Sequence, residues 1–197
     1  MSKSERTKKF IIEKAAPIFN TKGFAGTSLS DLTEATGLTK GSIYGNFENK
    51  EEIAIHVFKY GVARMKQAME IKLDTVAQPS QQIYAFLDFF LEYVFEPPVS
   101  GGCIILNTAV EADDNQPVLK KHVSQQLTSL IKYVQSLLEG TSIDWEQKYE
   151  YKPETLSYAI FSSIEGAVMI SRVQNNIRPM QQVVSYWKKQ LKQLETQ

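Results

Sequence analysis

The sequence predicts an all-α fold, a small N-terminal module of three helices followed by a larger helical module. Three observations predict it. Apolar residues recur at spacings of three and four along nearly the whole chain, the period of a one-sided helix. Capping pairs stand where new helices should open, at Ser28 with Asp31, at Thr39 and at Asn49 with Glu52. Gly and Pro clusters punctuate the pattern at helical intervals. The boundary is expected near residue 50, giving modules 1–50 and 51–197, with a long linking helix from about 49 to 73 opening the second.

In chain order, Ile12, Ala15, Ala16 and Phe19 form one face of a first helix. Pro17 inside that pattern removes a backbone donor and should kink it. Gly23 to Thr27 reads as a loop. A short helix follows Ser28, buries Leu29, Leu32 and Ala35, and stops at Gly37. Thr39 caps another short helix, through about Phe47, with Ile43 and Phe47 on its inner face. The linking helix then carries Ile53, Val57, Gly61, Met65 and Ala68. Gln78-Pro79-Ser80 separates it from a helix over about 81–95, with Ile83, Phe86, Phe90 and Val94 inward. A Pro/Gly-rich loop from Glu96 to Gly102 precedes a short helix, Cys103 to Glu111. Pro117 opens a helix through Leu138. Residues 148–152 form a charged, aromatic connection, Pro153 sits at the first position of the next helix, and a last helix starts near Pro179.

Composition narrows the class. Hydrophobic residues are 43% and charged residues 22% of 197, ordinary globular usage rather than that of a disordered chain. No apolar run reaches the roughly 18 residues that span a bilayer, so no membrane partner is expected. The first residues lack a signal peptide's apolar core, and a lone cysteine suits a reducing compartment, so a cytoplasmic location is expected. Net charge is zero but uneven. Residues 1–50 hold eight Lys or Arg against five Asp or Glu, a net +3, which leaves −3 for the remainder. A basic small module on an acidic larger one suits a nucleic-acid partner for the first part.

Two short helices joined at Gly37-Leu38-Thr39 make a helix-turn-helix. The run Gly23-Phe24, Thr27-Ser28-Leu29, Leu32, Ala35, Gly37 to Tyr44, Phe47 and Lys50-Glu51 resembles the DNA-binding signature of the TetR family of bacterial transcription regulators. It covers about the first quarter of the chain, in the family's order and spacing. The resemblance implies a homodimer on palindromic operator DNA, a small-molecule effector that releases it, and no cofactor.

A recognition helix presents its first residues to base edges while flanking groups grip phosphates. Lys40, Gly41 and Ser42 stand at that end, behind Thr39. Lys40 suits either a guanine acceptor or a phosphate. The family motif assigns phosphates to Tyr44 and Lys50, and Thr27 and Ser28 stand at the start of the preceding helix, where phosphates bind. Ser28 suits both capping and contact. Asn46 departs from the family, where His is common, but still suits a phosphate or an adenine.

The second module offers two further candidates. Phe86, Phe89, Phe90 and Tyr93 make an aromatic stripe, and with Cys103, Asn107, Glu111, Phe161 and Glu165 they are a candidate effector pocket. An aromatic stripe at helical spacing is more often plain core, which is the alternative reading. Cys103, at a helix start, suits a small buried hydrophobe as well as a reactive thiol. Leu156, Ile160, Ile164 and Ala167, with Val184, Trp187 and Leu191, follow narrow stripes on the last two helices. In the TetR family these helices form a four-helix bundle across a two-fold axis, so the stripes are candidate dimer residues; packing on the chain's own core is the alternative. His56 and His122 have no metal-ligand spacing around them. No nucleophile-base pair or phosphate loop points to an enzyme.

Overall fold

The structure is a computed structural model that describes residues 2–147 and 151–196, the side chain of residue 115 excepted. Lys148, Tyr149 and Glu150 of the expected 148–152 connection lie outside the described residues. The described residues form α-helices and no strands: α1 (Lys3–Gly26), α2 (Leu29–Thr36), α3 (Lys40–Tyr44), α4 (Lys50–Leu73), α5 (Pro79–Tyr93), α6 (Ile104–Asn115), α7 (Pro117–Glu139), α8 (Pro153–Val173) and α9 (Arg178–Thr196).

Local chemistry sets most boundaries. Ser2 and Glu5 form a capping box that opens α1. Ser28 and Asp31 open α2 in the same way, and α2 ends at Gly37 in the left-handed region. Asn49 Oδ1 accepts from the Glu52 amide at 2.8 Å, while the Glu52 carboxylate accepts from the Glu48 amide at 2.6 Å, capping α4. Pro79, Pro117 and Pro153 each begin a helix, where the missing N–H costs nothing. One expectation is corrected: the α1 backbone stays helical through Pro17, and the break falls at Gly23, with φ +75°. A left-handed φ suits glycine, whereas Pro17 keeps a helix-compatible φ and sacrifices only one donor.

The chain divides into two compact units, Met1–Met65 with Pro98–Gln126, and Lys66–Pro97 with Leu127–Gln197. The two units part inside α4, and α6 groups with the N-terminal helices. The first unit's core gathers Ile11, Ala15 and Phe19 of α1, Leu32 of α2, Ile43 and Phe47 around α3, Ile53 and Val57 of α4, and Val99. Gly61 of α4 brings α6 close: a methyl there would lie 2.2 Å from Ile104 Cδ1.

In the second unit α9 packs against α5 and α8. Lys188 Nζ meets both Asp88 oxygens at 2.6 Å, and Arg172 donates to the Val94 carbonyl at 2.9 Å. The candidate dimer stripes lie inside this unit. Leu156, Ile160, Ile164, Ala167, Val184, Trp187 and Leu191 are all buried in the single chain, and Trp187 Nε1 donates to Ser163 Oγ at 2.6 Å. Within the single chain the amphipathic period is satisfied by α8 packing on α9. The faces left outward carry Tyr158, Met169, Ile170 and Val173 on α8 and Tyr186 on α9, all exposed.

Candidate nucleic-acid interface

The helix-turn-helix is held from beneath by apolar anchors and from its ends by caps. Ile43, on the buried side of the five-residue α3, is fully buried, and Phe47 just beyond it is 2% exposed. With those two fixed, Lys40, Gly41, Ser42 and Tyr44 are left in solvent on the other side. Thr39 Oγ1 accepts from the Ser42 amide at 3.2 Å and bonds the Ser42 hydroxyl at 3.1 Å, so this cap also orients Ser42. The regular helix ends at Tyr44, earlier than the periodicity suggests, but the chain keeps a helical course through Gly45 and Asn46, and the Phe47 amide still bonds Ile43 O at 3.1 Å.

The start of α2 is more strongly built than its sequence signature promises. Asp31 Oδ2 accepts from both the amide and the hydroxyl of Ser28 at 2.7 Å, and the Asp31 amide returns a bond to Ser28 Oγ at 3.1 Å. Lys22 Nζ reaches the other carboxylate oxygen at 2.6 Å. Lys22 first, and Ser28 second, hold the Asp31 carboxyl far below the ordinary carboxylate range. Ser28 remains an exposed residue while it caps α2.

The remaining expected contacts are placed unevenly. Thr27 is 1% exposed and its hydroxyl donates to the Gly23 carbonyl at 2.6 Å, so its side chain serves the α1–α2 turn. Asn46 is half-buried. Its side-chain amide donates to Ser42 O at 2.8 Å and its side-chain carbonyl accepts from the Ser4 hydroxyl at 3.3 Å, tying the start of α1 to the end of α3. Lys50 Nζ stands 4.5 Å from the centre of the Phe24 ring. Lys22, Ser4 and Asn20 were not among the expected site residues. Their partners are 9, 42 and about 80 residues away in sequence, beyond any local signal.

The nine candidate pocket residues separate between the units. Phe86, Phe89, Phe90, Tyr93, Phe161 and Glu165 are buried in the second. The four α5 rings pack at centroid distances of 5.2–5.6 Å, mostly edge to face. Cys103, Asn107 and Glu111 belong to the first unit. Cys103 is buried, and the polar groups of Asn107 and Glu111 bond to α1.

Comparison with known proteins agrees with this architecture. Residues 11–57 match the family described as bacterial regulatory proteins, tetR family, and residues 79–187 match the tetracyclin repressor-like C-terminal domain. The transcriptional regulator TtgR of Pseudomonas putida is 41% identical over 171 residues, 84% of this chain and 80% of that protein. The transcriptional repressor DhaR of a Mycobacterium strain is 23% identical over 176 residues, 89% of this chain and 87% of that one. A TetR-family regulator from Cytophaga hutchinsonii superposes with a TM-score of 0.87 at 33% identity, covering 100% of this chain and 98% of its own. With the reading head, the helical body and a close relative all in agreement, the chain belongs to the TetR family and is a DNA-binding transcription regulator.

Proposed function

We propose that this chain is a repressor that binds a palindromic operator as a homodimer and leaves it when a small-molecule effector binds the second unit. The observation that carries the reading is α3, where Lys40, Gly41, Ser42 and Tyr44 stand in solvent on a helix anchored by Ile43 and Phe47. Such a helix has the size and the exposed donors to enter a major groove, with Lys40 at its N-terminal end against base edges or a phosphate and Tyr44 against the backbone. Ser28 and Lys50 supply flanking phosphate contacts.

The outward faces of α8 and α9 support dimerisation. From Thr155 to Val173 the exposed residues of α8 carry no charge, and Tyr158, Met169, Ile170 and Val173 stand on that face. A second copy would cover this apolar strip, and two-fold symmetry then places two reading heads for half-sites about 34–36 Å apart. The aromatic-rich second unit, with Phe86, Phe89, Phe90 and Phe161, favours an aromatic or apolar effector.

The test starts from a duplex selected by the full-length chain from a randomised pool. Lys40→Ala and Tyr44→Ala should each weaken binding to it by about 5–150-fold, the worth of a base or phosphate contact. Loss of a phosphate contact at Lys40 should also lower the slope of affinity against salt by about one. Wild-type affinity in both folded variants would remove α3 from the interface. An effector that releases the duplex must itself bind more weakly in its presence, by the same factor, in paired calorimetric titrations.

A further inference from the structure

The break in α1 leaves backbone groups that a continuous helix would have paired. In an α-helix the amide of Phe24 would donate to the carbonyl of Asn20, four residues back. With Gly23 at φ +75° that bond is not made. Two side chains of α6, one helical turn apart, take up both sides of the gap. Asn107 Nδ2 lies 3.0 Å from the Asn20 carbonyl oxygen and from Asn20 Oδ1. The Glu111 carboxylate accepts from the Phe24 amide at 2.5 Å and from the Ala25 amide at 2.6 Å. Thr27 Oγ1 covers the Gly23 carbonyl. The Asn20 side-chain amide in turn donates to Ser100 O at 3.1 Å and Gly102 O at 3.0 Å, fixing the segment that leads into α6.

Gly23 is fitted to this arrangement. A β-carbon there would lie 2.7 and 2.9 Å from the two Glu111 carboxylate oxygens. Three residues beyond Ala25 the chain reaches Ser28, the cap of α2. The turn by which α2 and α3 leave α1 is therefore held by bonds to α6 together with the apolar core that α1, α2 and α3 share.

We propose that Asn107 and Glu111 are positioning residues of the reading head, and that α1 is a two-state element. With α6 docked, α1 is broken at Gly23 and α2–α3 stand in the DNA-reading orientation. With α6 withdrawn, Phe24 N–H closes onto Asn20 O, α1 continues as a regular helix past Gly23, and α2 is turned away. The reason is the obligation to pair backbone donors and acceptors, which α6 meets in one state and α1 itself meets in the other. The proposal rests on α2–α3 being the DNA-reading head.

The test uses the full-length chain, the selected duplex and three variants: Asn107→Ala with Glu111→Ala, Gly23→Ala, and Glu111→Gln. The double variant and Gly23→Ala should bind the duplex at least tenfold more weakly while the slope of affinity against salt stays at the wild-type value, because no phosphate contact has been removed. Carbon chemical shifts at residue 23, measured from the coil value of whichever residue stands there, should move toward helical values in both. Glu111→Gln keeps the volume and one acceptor, so it should fold and fall between. Affinity within twofold of wild type in the folded double variant or, should that variant not fold, in folded Glu111→Gln overturns the proposal. Loss of affinity with shifts at residue 23 unchanged overturns the two-state element. If the wild-type chain selects no duplex, the reading head itself has failed, and the shifts at residue 23 still decide whether α6 holds α1 broken.

Discussion

His122, on α7, is held toward its neutral form by burial first and then by the charges of Lys59 and Lys121. A base whose folded pKa lies below its unfolded value binds fewer protons in the fold. Stability should therefore be lost as pH falls through about 6.5, the ordinary histidine value, toward the lower folded one. The expected outcome is a melting temperature that declines from pH 7.5 to 5.5 in the wild type and declines less in His122→Gln. Parallel profiles would sink the assignment. Residues whose partners are local were legible in advance: Ser28, Thr39 and Asn49 cap helices as their spacing indicates. Asn107 and Glu111 were not, because each bonds α1 some 87 residues away. A polar residue on an amphipathic helix looks the same in sequence whether it faces a ligand or a distant backbone amide.

Helix positions followed from period and caps, and ends that depend on neighbours did not. α3 stops at Tyr44, short of Phe47, and most of the expected Gly23–Thr27 loop is instead a last turn of α1 beyond the break at Gly23, whose amides α6 completes. The approach of α4 to α6 gives a test at this scale. Gly61→Ala places a methyl against Ile104, a buried side chain, and overpacking typically costs about 1–3 kcal/mol. Alanine's helix propensity returns about 1 kcal/mol of that. Ile104→Ala alone should cost about 2–5 kcal/mol through the cavity it leaves. Combined, the new methyl occupies part of that space, so the double variant should be more stable than the sum predicts by about 1 kcal/mol. Additive losses in denaturant unfolding would mean that the two helices do not press on each other at this point.

At the scale of the whole molecule, the hydrophobic period of α8 and α9 announced a packed interface without saying whose. The single chain uses that stripe itself, and the outward face is the one proposed here for a partner. Val173→Arg, at a position 83% exposed, should leave the fold and melting temperature intact, halve the mass in sedimentation and weaken operator binding. Trp187→Ala should instead destabilise the chain by about 3–5 kcal/mol. A Val173→Arg protein that still sediments as a dimer would move the interface elsewhere. The division of the chain also has a consequence for how the protein is made. The first unit is discontinuous: its opening helices are synthesised first, but the α6 side chains that complete them arrive only after residues 66–97, which belong to the other unit. Under the two-state proposal for α1, the nascent head waits on the ribosome, with α1 free to run straight through Gly23, until about residue 111 has emerged. Its mature shape is a late event in synthesis, although its sequence comes first.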